Sequence, residues 1–543
     1  MSTVSLYDEL AKLAELTCRF TGNKYIGDLE TLSELITWPA VRNELTSSFA
    51  RRWLPYWDSN LERKIPGAMK VIAILVLLGR SKTIENLLSE DLTDEDLPLS
   101  RNGADLRSHS RNKLFPSFRT WERGEVANLL EKQWIVLEPP LKLDAATTVD
   151  LQLNPKCALS PAFSSCVEVT KTKDSTAHVY KGTVRPGFHG FDDSVSSLRL
   201  PPHSSAYADV KLQANGGDPS PVYVAVKAFE RHRKNAFVTE RGILDTIRGK
   251  GIRNDHLIRD LAICDEFRCI IFPWADGGDL GEFWQRKCPR ASDTFLWSLK
   301  QMVGLADALK DLHTVNCRHG DLKPANILYF TEDGVGILKI ADLGVSKAHN
   351  HATDFRSGAT ITSASTKVYE GPEVKIDTAP RSRRYDCWSM GCIILEFVLW
   401  LLYDYKALES FLRVRNSEYH GYYRLKSITD PRDAKPLEKT EVHPVVYEAM
   451  NFLREDPRCG GTALEALINL VDENLLKISP SERLLAAGLH QKLQMILKDV
   501  EEDRSCLVKL DELSPTIPLI FSQPPLPLHS SPESTSQEKF FVT

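Results

Sequence analysis

The sequence predicts an α+β protein: an all-α region over residues 1–150, then a domain that opens with antiparallel strands and closes with helices. Three observations predict it. Leu6, Leu10 and Leu13 recur at helical spacing, and residues 68–78 are apolar almost all round, as in a helix buried on every side. From about residue 163 the texture changes to short β-branched runs, CVEVTKT (166–172), HVYKGTV (178–184) and VYVAVKAF (222–229). From 280 onward helical patterns dominate.

Taken in order, the apolar helix before residue 79 ends plausibly at Gly79. Acidic TDEDLPL, a basic stretch from Arg101 to Lys113 and a helical segment carrying Trp121, Leu129, Leu130 and Trp134 follow, and EPPLKL (138–143) reads as a linker. Trp53, Trp57, Trp121 and Trp134 read as core residues rather than a ligand cage. Residues 185–221 are polar and rich in Gly, Pro and Ser, which fits a long loop insertion between two strands. Residues 510–543 are Pro/Ser-rich and read as a disordered tail, with PPLP (524–527) as a polyproline segment and Ser514-Pro515 and Ser531-Pro532 as sites for proline-directed kinases.

At 543 residues and 42% hydrophobic, the chain has room for two to four domains of about 100–200 residues. A net charge of −5 gives no bulk electrostatic case for nucleic acid or an anionic membrane, and neither is expected as a partner. The eleven cysteines form no CxxC pair and read as small buried hydrophobes in a reducing compartment. The N-terminus lacks a basic-then-apolar start, and the apolar runs 71–79 and 392–402 fall short of the roughly 20 residues of a membrane span. The expected location is therefore cytoplasmic. RSRR (381–384) leaves a nuclear one open, although a solvated loop or a substrate-docking patch are the simpler readings.

The chemistry concentrates in a few segments. VAVK places Lys227 on a strand, which holds a cation rigidly. On a helix over FVTERGIL, Phe237, Glu240, Leu244 and Ile247 share one face, so Glu240 points inward with apolar neighbours and wants a cation. HGDLKPAN (319–326) follows, then DLG (342–344) sixteen residues after Asn326, then STKVYEGPE (365–373), YDCWSMG (385–391) and SPSERL (479–484).

These motifs, in this order, resemble the two-lobed protein kinase catalytic domain over roughly 163–505, with an N-lobe 163–272, a hinge 273–279 and a C-lobe 280–505. The resemblance implies ATP and Mg²⁺ (Mn²⁺ being a further option) as cofactors and a Ser/Thr hydroxyl of a protein substrate as acceptor. It implies that Asp321 receives or orients the hydroxyl proton, that Lys323 touches the γ-phosphate, and that Lys227 pairs with Glu240. It implies metal ligation by Asn326 and Asp342. The adenine pocket would draw on Val179, Ala225, Phe272 as gatekeeper, the Pro273 carbonyl, the Ala275 N–H and Leu328. In the activation segment, Gly344 permits a turn, Thr366 and Gly371 frame the substrate platform, and Glu373 pairs with Arg483. His319 and Asp386 brace the catalytic loop. Lys323 and Thr366 follow the Ser/Thr rather than the Tyr arrangement.

Two departures stand out. Thr172, Asp174 and Ala177 occupy the places of three phosphate-loop glycines, which let backbone N–H groups approach phosphates. In TKDSTA the Ser175 and Thr176 hydroxyls offer donors, but Asp174 is electrostatically awkward beside phosphates, so the alternative is a pseudokinase scaffold with weak or no nucleotide turnover. An enzyme acting on small molecules is disfavoured by the Thr366–GPE platform. Gly320 stands where many kinases carry arginine, so no arginine–phosphate latch forms there. Residues 1–150 are similar, through RRWLP, LF…W and QW, to N-terminal segments attached to kinase domains in filamentous fungal proteins, and read as a module for a regulatory partner.

Overall fold

The computed structural model describes residues 5–512 apart from 19–21, 27–28, 46–58, 109, 140, 144–146, 170–176, 186–220, 231–233, 332–335, 344–346, 349–366, 377–381, 419–420 and 429–436. The insertion, the tail, Trp53, Trp57, Ser175, Thr176, Gly344 and Thr366 lie outside the described residues. The chain divides into two compact units, residues 1–244 with 258–276 and 330–336, and residues 245–257 with 277–329 and 337–543.

The first unit begins with helices α1 (Leu6–Leu13), α2 (Leu29–Leu35), α3 (Trp38–Leu45), α4 (Ser59–Lys64), α5 (Met69–Leu77) and α6 (Ile84–Ser89). Ser5 caps α1 by accepting from the Asp8 N–H at 3.1 Å. All of Val71–Leu77 in α5 are buried, and Gly79 at φ 67 turns the chain away after it.

The all-α expectation for 1–150 is corrected by a three-stranded antiparallel sheet, β1 (Leu99–Asn102), β2 (Asp105–Ser108) and β3 (Leu114–Phe115). Asn102 pairs with Asp105, leaving Gly103-Ala104 as a two-residue turn with Gly103 at φ 63. A glycine at the first of two turn positions is a hairpin signal that the density of basic residues obscured. Helix α7 (Arg123–Lys132) completes this part, and Trp121 joins its core.

EPPLKL is likewise no spacer. Leu141 and Leu143 are buried in a second core with Cys18, Leu151, Val222, Val224 and Ile271. That core lies under a six-stranded sheet of order β4-β8-β9-β7-β6-β5, formed by β4 (Val149–Leu151), β5 (Phe163–Glu168), β6 (Ala177–Val184), β7 (Val222–Phe229), β8 (Ala262–Cys264) and β9 (Cys269–Pro273). β4 pairs parallel to β8, so the sheet recruits residues from before position 163. Helix α8 (Lys234–Gly249) runs between β7 and β8.

The second unit carries α9 (Leu280–Trp284), α10 (Ser292–Thr314), the short strands β10 (Cys317–Arg318), β11 (Ile327–Phe330), β12 (Ile337–Ile340) and β13 (Lys347–Ala348), then α11 (Glu373–Ile376) and α12 (Arg384–Glu418). α9 starts with a capping box between Asp279 and Glu282. α12 breaks at Asp404 (φ 65), and its apolar stretch is long enough to cross a membrane, yet that window is wholly buried inside the protein. A hairpin of β14 (Tyr423–Ile428) and β15 (Leu437–Val442) and helices α13 (Pro444–Glu455), α14 (Ala463–Leu470) and α15 (Ala486–Glu502) follow. All eleven cysteines are free thiols, nine of them buried, as their apolar surroundings implied.

Candidate active site

In the first unit, the register of β6, β7 and β9 places the expected nucleotide contacts on one sheet face. Val179 opposes Lys227, and Ala225 opposes Phe272. Side chains two apart share a face, so Val179 and Lys181 lie with Ala225 and Lys227, half-buried, while Tyr180, Gly182, Val224 and Val226 point into the core. Lys227 Nζ donates to both Glu240 oxygens, at 2.8 and 2.6 Å. Glu240 sits on α8 and is buried together with Phe237 and Leu244, so the one-face reading of that helix gives the observed placement. Phe272 is buried, and Pro273 and Ala275 are half-buried where the chain leaves β9.

In the second unit, Asp386 on α12 organises the loop 319–326. Its Oδ2 accepts from the His319 N–H at 2.9 Å and its Oδ1 from the Gly320 N–H at 2.8 Å. His313 Nε2 lies 2.9 Å from the same carboxylate. Burial alone raises the Asp386 carboxyl, but the His313 hydrogen bond and nearby cations outweigh it and hold it below the usual carboxylate value. The Asp321 N–H donates to His319 Nδ1 at 3.3 Å, so Nε2 carries that ring's proton and donates to the Ala341 carbonyl at 2.9 Å. His319 therefore links the catalytic loop to the strand end that precedes Asp342.

Asp321 itself is buried, with Oδ2 accepting from Lys323 Nζ at 2.7 Å and from Asn326 Nδ2 at 3.2 Å. Asn326 Nδ2 also donates to the Asp321 carbonyl at 2.8 Å. With both amide protons committed, the Asn326 oxygen is the atom left for a cation. Asp342 is exposed and adopts φ 60, a left-handed conformation that Asp tolerates better than most residues. One amide oxygen and one carboxylate make a hard donor set, which fits Mg²⁺, an ion that takes few protein ligands and completes its shell with phosphate and water. No cluster of three or more His, Cys, Asp or Glu suited to a metal occurs among the described residues. Leu328, on β11, is half-buried and bridges to Asp279.

Downstream, Arg483 donates to both oxygens of Glu373, at 2.9 and 2.7 Å, and lies 4.9 Å from the Trp388 ring centroid. A side chain at Gly371 would meet the Glu373 carboxylate, which would have to shift against Arg483. Sequence reasoning missed the half-buried Tyr369, whose hydroxyl donates to Glu396 at 3.0–3.1 Å, with Arg415 stacked on Tyr422 beside it. Arg383 of RSRR is not a free docking cation. It donates to the His313 carbonyl at the end of α10, an arrangement that favours a cation.

Residues 218–492, half of the chain, match the family described as protein kinase domain. Cyclin-dependent kinase-like 4 of Mus musculus is 25% identical over 328 residues, 54% of this chain and 84% of that protein. The human cyclin-dependent kinase-like 4 is 26% identical over 256 residues, 42% of this chain, which spans 62% of the relative's length. The mitogen-activated protein kinase MKC1 of Candida albicans is 25% identical over 217 residues, 37% of this chain and 39% of its own. With the strand-rich and helix-rich units of the fold and the motif residues set as described, the chain belongs to the protein kinase family and has its two-lobed α+β fold.

Proposed function

We propose that the protein is an ATP- and Mg²⁺-dependent kinase that transfers the γ-phosphoryl group to serine or threonine hydroxyls of protein substrates. The observation that carries this reading is the frame around Asp321: a buried carboxylate held through His319, Asn326 and Asp386, next to a lysine. As the substrate oxygen attacks the γ-phosphorus, the hydroxyl proton passes to or is steered by Asp321, the bond to the bridging oxygen breaks, and ADP leaves. Lys323 balances charge on the transferred group, and Lys227, oriented by Glu240, balances it on the α/β-phosphates. Asn326 and Asp342 would hold Mg²⁺, which neutralises phosphate charge when bound. Relatives named as cyclin-dependent kinase-like and mitogen-activated protein kinases favour Ser/Thr acceptors. We place the activity in the cytoplasm, with a protein partner for the N-terminal region.

Asp174 in a loop without glycines favours a second reading, a nucleotide-weak scaffold. One experiment separates the two: transfer of labelled γ-phosphate to the protein itself and to a generic basic protein, beside Asp321→Asn and Asp342→Asn. Incorporation on Ser or Thr that both variants abolish supports the kinase. No incorporation by folded protein, with Mg²⁺ or Mn²⁺, transfers the assignment to the scaffold.

A further inference from the structure

Lys181 was not among the residues expected at the nucleotide site, yet the strand register puts it there. It opposes Ala225 across β6 and β7, one row along from the Val179–Lys227 pair and on the same half-buried face. Its ammonium lies 4.4 Å from the centroid of the Tyr223 ring and 4.9 Å from that of Trp274. A lysine on an open sheet face ordinarily extends into water, whereas this one is folded between two aromatic faces, whose quadrupoles attract a cation. Burial draws its pKa below the ordinary lysine value, with Asp276 opposing that shift. Asp276 is itself engaged by Thr331, which donates its N–H at 2.9 Å and its hydroxyl.

The position of Trp274 makes this contact consequential. Trp274 is the first residue after β9 and lies between Pro273 and Ala275. Pro273 can offer only a carbonyl, and Ala275 follows with an N–H. These are the backbone groups assigned to adenine. A ring pinned between them fixes the peptide planes on both sides. Tyr223, the second residue of β7, pairs with Thr183 of β6, and its neighbour Val224 pairs with Pro273 of β9, so it supplies the rigid side of the clamp.

We propose that Lys181 is a positioning residue for the nucleotide base: sandwiched by Tyr223 and Trp274, it ties the segment after β9 to the sheet and sets the direction of the Pro273 carbonyl and Ala275 N–H. This rests on the ATP reading above.

The test uses the full chain and Mg-ADP, titrated by calorimetry, so that turnover is not required. Lys181→Met keeps the apolar stem and loses the charge, and Lys181→Arg keeps a cation able to stack. The expected result is Mg-ADP affinity lower by about 3- to 10-fold in Lys181→Met and within about twofold of wild type in Lys181→Arg. Trp274→Leu gives a similar loss, and the double variant Lys181→Met/Trp274→Leu loses no more than either single change. The melting temperature without nucleotide stays level across the set. Wild-type affinity in Lys181→Met overturns the proposal. So do equal losses in Met and Arg variants that track a drop in melting temperature, which mark a purely structural lysine. Failure of the wild-type protein to bind Mg-ADP at millimolar concentration overturns the ATP reading itself, and the proposal with it.

Discussion

The Gly320 N–H donates to Asp386 Oδ1 at 2.8 Å while Gly320 holds φ at 82, so a carboxylate on α12 grips the catalytic loop through a residue in left-handed backbone. Glycine adopts that conformation freely, whereas other residues strain by about 1–2 kcal/mol. The missing arginine at this position therefore also relaxes the backbone. Gly320→Arg is expected to lower stability by about 1–2 kcal/mol, measured by urea unfolding. Glycine offers no guanidinium to a phosphate, so control by phosphorylation through that position is not expected. Simultaneous alanine at Thr353, Ser357, Thr360, Thr362 and Ser363, all outside the described residues, is expected to leave most of the activity. A collapse to background in that variant would contradict the argument.

Asp386 satisfies two backbone N–H groups and His313 from a fully buried site. Asp386→Ala leaves these donors without their acceptor, and a loss of about 3–5 kcal/mol is expected. The acid response gives a second check. Because the folded-state pKa is depressed, this carboxylate contributes stability above the unfolded value near 4 and loses it as pH falls through the folded value. The stability difference between wild type and Asp386→Asn should therefore be largest at neutral pH and shrink toward pH 3. A difference independent of pH would show that the charge is not what is recognised.

Much of the site was legible because its chemistry is written in contiguous segments. HGDLKPAN carries Asp321, Lys323 and Asn326 within eight residues, and helical spacing alone turned Glu240 toward the core. What stayed hidden depends on register between distant segments. Lys181, Tyr223 and Trp274 span 94 positions in sequence and meet only because β6, β7 and β9 are adjacent, in an alternation that periodicity gives without partners. β4 was hidden because three residues carry too little pattern, and Leu141 and Leu143 because the neighbouring prolines read as punctuation.

His178 stands at the start of β6, directly after the glycine-poor loop, between Glu168 at 2.6 Å and Glu230 at 3.5 Å. The Glu168 hydrogen bond outweighs burial and raises its pKa above the ordinary histidine value. With a raised folded pKa, its stabilisation is fully present below about pH 6.5 and is lost as pH rises through the folded value. The ring is 39% exposed, so solvent screening limits the effect to about 1 kcal/mol or less. Wild type should lose that margin over His178→Asn between pH 6 and pH 9 in urea unfolding. A margin that grows with pH would reverse the assignment.

The N-terminal region is the last case, because part of it, Cys18 and the stretch that holds Leu141, Leu143 and Leu151, belongs to the core under the sheet rather than to the region's own helical core. Cys18, Leu141 and Leu143 pack with Val222, Val224 and Ile271, and Asn23 Nδ2 donates to the Pro155 and Cys157 carbonyls at 2.8 and 2.9 Å. β4 covers the β8 edge of the sheet, and an uncovered edge with an apolar face invites association. A fragment beginning at residue 163 thus loses core side chains and a strand together, and is expected to aggregate rather than to report on regulation. Leu143→Ala in the full chain tests the same packing gently, since a fully buried leucine of this kind typically contributes about 2–5 kcal/mol. Asn23→Ala should cost about 1 kcal/mol or somewhat more for its two carbonyl bonds. If the 163–512 fragment proved monomeric, with a melting temperature equal to that of the full chain, residues 1–162 would be an independent module and the shared core would hold nothing in place.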